Sequence, residues 1–137
     1  MGNKSATGLL SMSDIQNLHI LFLTVGESVA MKSLKALAAN TKQPYKLTIW
    51  YDACGRGVDS DFYTQLMKYS DDVVLLTQNH GAVGALGYGM LYLDGDYLLM
   101  VLADTMVKEN YLDRFAFGFS NFAKVSCVGC FRSNSEV

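Results

Sequence analysis

The sequence predicts an α/β protein: a Rossmann-like three-layer α/β/α sandwich around a mainly parallel sheet of about five strands. Two observations carry this expectation. Apolar runs too short for helices recur along the chain, and the segments between them repeat their apolar residues at helical spacing. Strands that are apolar on both faces and alternate with helices belong to parallel sheets with right-handed crossovers.

Taken in order, Met1 to Asp14 is polar and rich in Ser and Gly, and reads as a flexible N-terminal segment ahead of one domain spanning 15–137. The expected strands are Leu18 to Val25, Tyr45 to Tyr51, Asp72 to Thr77, Tyr97 to Leu102 and Lys124 to Val128. Four helical stripes separate them: Ala30, Met31, Leu34, Leu37 and Ala38; Phe62, Leu66 and Tyr69; Val83, Leu86 and Met90; Leu112, Phe115, Phe119 and Phe122. Ser28 and Asp59 are placed to cap the first two helices. Phe117 falls off the last stripe and is expected to be exposed.

Bulk composition narrows the function classes. The chain has 137 residues, 50% of them hydrophobic and 18% charged, which suits one compact domain. Its formal charge is -2 and its Lys and Arg residues are scattered, so a basic footprint for nucleic acid is missing and a small partner is expected. Three cysteines and no apolar run approaching the ~18 residues of a membrane span point to a cytoplasmic protein with free thiols. Cys127 and Cys130 have C-x-x-C spacing, but a zinc site wants a second pair, and a buried strand explains them better. His19 reads as structural, and His80 as a bystander to the site described next.

Parallel sheets bind ligands at the carboxyl ends of their strands. Those ends carry Thr24, Val25 and Gly26; Asp52, followed by Ala53, Cys54, Gly55, Arg56 and Gly57; Asn79, His80 and Gly81; and Leu102, Ala103, Asp104 and Thr105. Asp52 suits either of two roles, accepting from the ring N–H of a uracil or thymine or forming the turn ahead of Gly55. Asp104 suits either one oxygen for Mg²⁺ or Mn²⁺, a metal often held by few carboxylates plus substrate phosphates, or an N-cap for the next helix. Glycines at 81, 84, 87 and 89 each cost a helix roughly 1 kcal/mol relative to Ala; they imply close approach by a ligand or a neighbouring element.

The order and spacing of Asn79-x-Gly81, Ala85, Gly89, Gly95-Asp96-Tyr97, an apolar strand and Asp104-Thr105 resemble the donor-binding core of family 2 glycosyltransferases, which have the GT-A fold. Thr24 and Asp52 match upstream positions of that family, and the similarity runs from about Leu18 to Gly129. The resemblance implies a site for a UDP- or dTDP-sugar in which Thr24, Val25 and Asp52 bracket the base. Asn79 and Gly81 would line the base and ribose, and Asp104 would hold Mg²⁺ or Mn²⁺ between the phosphates. The implied reaction is inverting sugar transfer to a hydroxyl.

Three departures accompany it. Leu102 stands where the family has the first Asp of its D-x-D motif, and Ala53-Cys54 where D/N-G is usual. The matched region is the nucleotide-sugar half, so the chain is expected to be truncated relative to full-length members, without the acceptor half and its catalytic base. A catalytically incomplete binding module of the same fold is the alternative, with a homo-oligomer or a missing C-terminal half as the expected partner.

Overall fold

A computed structural model describes residues 15–53, 55–78, 80–121 and 127–129. In chain order the elements are β1 (Leu18–Thr24), α1 (Ala30–Asn40), β2 (Tyr45–Asp52), α2 (Ser60–Tyr69), β3 (Asp72–Leu76), α3 (Gly81–Tyr92), β4 (Tyr97–Leu102) and α4 (Tyr111–Asn121). Among the described residues the sheet has four strands in the order β3-β2-β1-β4, and every pairing is parallel. The α/β, Rossmann-like expectation holds with four strands rather than five. Lys124 to Ser126 of the expected fifth strand lie outside the described residues, and Cys127, Val128 and Gly129 form no strand. Residues 1–14, Cys130 and Phe122 also lie outside them.

β1 is the central strand, and all seven of its residues are buried. Leu18, Ile20 and Phe22 join Leu47, Ile49, Tyr51 and Val101 on one face, beneath Leu34 and Leu37 of α1, Leu66 of α2, and Leu112 and Ala116 of α4. Leu21, Leu23 and Trp50 face the other way and pack with Ala85, Tyr88, Leu98 and Met100 beneath α3. Each fully buried Leu or Ile contributes about 1.5–3 kcal/mol. The two layers of helices follow from chirality: α1 and α2 lead outward from β1 to β3, whereas α3 returns to the opposite side of β1 and must cross on the other face.

α3 departs from expectation. Its apolar spacing is helical, but Val83, Leu86 and Met90 are 84%, 41% and 73% exposed, and Ala85 and Gly89 are the buried residues. Small size decides the orientation. A Cβ at Gly89 would lie 2.9 Å from Leu98 Cδ2 and 3.2 Å from Leu21 Cδ2, so glycine brings the helix axis close to the sheet. The implied close approach is therefore by a neighbouring element at this position.

The two expected caps divide. Asp59 accepts from the N–H groups of Asp61 and Phe62 and caps α2. Ser28 does not cap α1; Val29 holds that position with helical backbone, because the Ala30 N–H is already satisfied by the Glu27 carbonyl at 3.1 Å. His19 is structural, as expected. Its Nε2 lies 2.8 Å from Thr48 Oγ1 and its Nδ1 lies 2.9 Å from the Asp94 carbonyl, joining β2 and the approach to β4. Phe117 is exposed.

Candidate functional site at the carboxyl ends of the strands

Strand order reverses between β1 and β4, where a crevice opens in sheets of this kind. Register fixes what borders it. Leu23 pairs with Leu102, and the ladder runs one residue further through the Ala103 N–H to the Leu23 carbonyl at 2.9 Å. Thr24 therefore ends β1 level with the turn that carries Asp104. On the other side Thr24 pairs with Tyr51, placing Asp52 one step beyond, where it pairs with Leu76. Thr24, Val25, Asp52 and Asp104 are thus brought to one end of the sheet by register alone.

Their environments differ. Thr24 and Asp52 are buried at 3% and 4% exposure, while Val25, Gly81 and Asp104 are exposed. Asp52 closes β2 ahead of a loop in which Gly55 and Gly57 take φ of 72° and 82°, and the Arg56 N–H returns to the Ala53 carbonyl at 2.9 Å. It is both the last residue of a buried strand and the start of a turn. Asp104 lies in the turn after β4, where the Thr105 N–H bonds the Leu102 carbonyl. The next helix begins only at Tyr111, so Asp104 is not its N-cap.

The fourth strand end is only partly described. Asn79 lies outside the described residues. Gly81 opens α3 with φ of 64°, a left-handed conformation that glycine adopts without strain. His80, just before it, makes an edge-on contact with Trp50 at 6.5 Å between ring centres. Its side chain makes no helix-capping hydrogen bond.

One residue was missed by sequence reasoning. Glu27 Oε1 accepts from the Thr24 hydroxyl and from the Val25 N–H at 3.2 Å, while the Gly26 N–H donates to Thr24 Oγ1 at 3.0 Å. The turn after β1 is therefore closed by a carboxylate at the carboxyl end of the sheet. Gly26 takes φ of 95° there, and a Cβ on it would stand 3.3 Å from the Tyr51 hydroxyl. The T-x-x-E spacing of Thr24 and Glu27 is that of a helix capping box, but α1 begins only at Ala30, so the spacing gives no signal of this turn.

The charged side chains at these ends are mostly acidic: Glu27, Asp52 and Asp104, with Arg56 in the exposed loop after β2. Among the described residues no group of three or more His, Cys, Asp or Glu side chains could hold a metal ion. A cation here would rest on Asp104 and on oxygens brought by a ligand. A concavity of about 490 Å³, bordered by Asn17, Tyr45, Lys46, Asp94 and Asp96, lies at the opposite, amino end of the strands. It shares no residue with the candidate site.

No family model and no curated protein matches this sequence. The fold and the strand ends are the basis for a functional reading. Among the described residues, no helix is long and apolar enough to cross a membrane.

Proposed function

We propose that the chain binds a nucleoside-diphosphate sugar, with uracil or thymine as the base, and serves inverting transfer of that sugar to a hydroxyl acceptor. The observation that supports this reading is the placement of Thr24, Asp52 and Asp104 at one end of the sheet, Thr24 and Asp104 beside the strand-order reversal and Asp52 on the next strand, in the spacing that resembles the family 2 glycosyltransferases. On this reading Asp52 accepts from the ring N–H of the base, Thr24 and Val25 flank it, and Asn79 and Gly81 line the base and ribose.

Asp104 fits a metal-holding role because it is exposed beyond β4 and does not cap a helix. Mg²⁺ or Mn²⁺ takes oxygen ligands and is commonly held by one or two carboxylates with substrate phosphates. Bound there, it supplies neutralisation of charge on the departing nucleoside diphosphate. A cytoplasmic location belongs to the same reading.

Leu102 supports a second reading, a module that binds the nucleotide sugar without transferring it. It is an apolar side chain, 49% exposed, at the position where the resembling family has its first metal-motif Asp. Calorimetric titration with UDP and dTDP, with and without Mn²⁺, tests both. Metal-dependent binding that Asp104→Ala abolishes is the expected outcome; absent or metal-independent binding overturns the role of Asp104. Release of UDP from UDP-hexoses then separates transfer from binding alone.

A further inference from the structure

α3 carries the apolar spacing of a buried helix on the side that its own sheet does not cover. Ala85 and Gly89 are its buried residues, whereas Val83, Leu86 and Met90 recur at intervals of three and four on the outward side and are 84%, 41% and 73% exposed. Leu91 lies beside them at 77%. A second apolar face with its own helical period is a packing surface for another element.

Charge and area narrow what that element is. No residue from Gly81 to Tyr92 is charged, so nothing on this helix attracts a charged partner. The connection that follows carries Asp94 and Asp96, and a helix without Lys or Arg beside acidic residues is a poor match for an anionic membrane surface. The four outward side chains leave roughly 500 Å² of apolar surface in one patch, a size that marks an interaction site. Two such patches face to face cover about 1,000 Å², where specific interfaces begin.

Gly87 lies within this patch. A Cβ at Gly89 would crowd Leu98 and Leu21, and one at Gly84 would crowd His80, yet at Gly87 it would meet nothing within 4 Å. Glycine weakens a helix, and inside one protomer Gly87 brings no packing gain in return. Close approach by a second backbone supplies that gain.

We infer that the outward face of α3 is the interface of a reversible homodimer, in which α3 of one protomer packs on α3 of its partner about a two-fold axis. Such an interface brings the same patch together from both copies and must be complementary to itself. An uncharged apolar face with a glycine between its large side chains meets that condition. Because its area lies at the lower limit for specific association, the protomers fold by themselves and pair weakly, and unfolding of the dilute chain reads the protomer alone.

Sedimentation velocity of the full chain, from about 1 µM to about 1 mM, is the measurement, with thermal unfolding to verify that each variant folds. The mass is expected to rise from one protomer to two across the series. Met90→Glu places an unpaired carboxylate in the interface from each copy and should raise the dissociation constant at least about tenfold; Val83→Glu should do the same. Phe117→Glu, at a 59% exposed apolar position of α4 on the opposite side of the sheet, should leave it unchanged. The mass of one protomer at every concentration overturns the proposal, as does undiminished pairing in folded Met90→Glu and Val83→Glu. Equal weakening by Phe117→Glu marks unspecific association and overturns it too. Uptake onto phosphatidylcholine vesicles without self-association gives the face to a bilayer, with the same result.

Discussion

The two faces of the sheet are built by different means. On one face α1, α2 and α4 press large side chains onto the strands, with Leu34, Leu37, Leu66 and Leu112 all nearly inaccessible. On the other, α3 presents Ala85 and Gly89 and approaches closely, leaving Val83, Met90 and Leu91 outward. One face is packed by inserted bulk, the other by its removal. Apolar residues on a helix are thus no guide to its buried side when the whole helix is apolar.

This contrast can be broken by substitution. Leu34→Ala empties space within the larger core and is expected to cost about 2–5 kcal/mol, measured by urea unfolding. Met90→Ala, on the exposed side of α3, is expected to change stability by less than about 0.5 kcal/mol. Equal costs would mean that α3 buries its large residues after all.

A smaller effect separates two glycines of one helix. Gly89→Leu overfills the contact with Leu21 and Leu98 and should cost about 1–3 kcal/mol. At Gly87 an added Cβ meets nothing within 4 Å, so Gly87→Ala should stabilise by about 0.5–1 kcal/mol through helix propensity. Loss of stability in Gly87→Ala would contradict the open space beside it.

A further effect lies under the larger face and depends on pH. Burial pushes the Tyr111 phenol up from 10 to about 12, an effect partly offset by its hydrogen bond with Thr41. Between those values the folded chain holds a proton that the unfolded chain has lost. The contribution is complete below pH 10 and declines as pH rises toward 12. Burial and the nearby Asp71 raise Tyr45 in the same direction. Urea midpoints should fall across this window, and less steeply in Tyr111→Phe.

The sheet was legible because its strands are short, apolar on both sides and bounded by turn residues. Tyr97–Leu102 begins and ends where expected, while β1 and β3 each end one residue earlier and β2 one residue later than read. The phase of α3 was not legible, since apolar residues surround it and contacts with Leu21 and Leu98 choose its face. Ser28 looked like a cap by residue type, but the Glu27 carbonyl had already satisfied the N–H of Ala30.

The strand-end positions of Thr24, Asp52 and Asp104 were legible for the same reason as the strands. Glu27 was not, because a carboxylate beside a glycine usually signals a solvated turn. Only the hydrogen bonds back to Thr24 and Val25 reveal that it organises that turn. Gly95 was noted for its place in a motif; its physical reason is the Asn17 carbonyl, 2.6 Å from where a Cβ would stand.

The passage from β4 to α4 is fastened to α1 along its length. Ser33 donates to the Thr105 carbonyl, Asn40 to the Val107 carbonyl at 2.9 Å, and Thr41 shares a hydrogen bond of 2.7 Å with Tyr111 just beyond α1. Surface connections are usually the first segments to exchange their amide hydrogens. This one is joined to a helix whose Leu34 and Leu37 are locked in the core, so local opening around Asp104 is coupled to the release of α1.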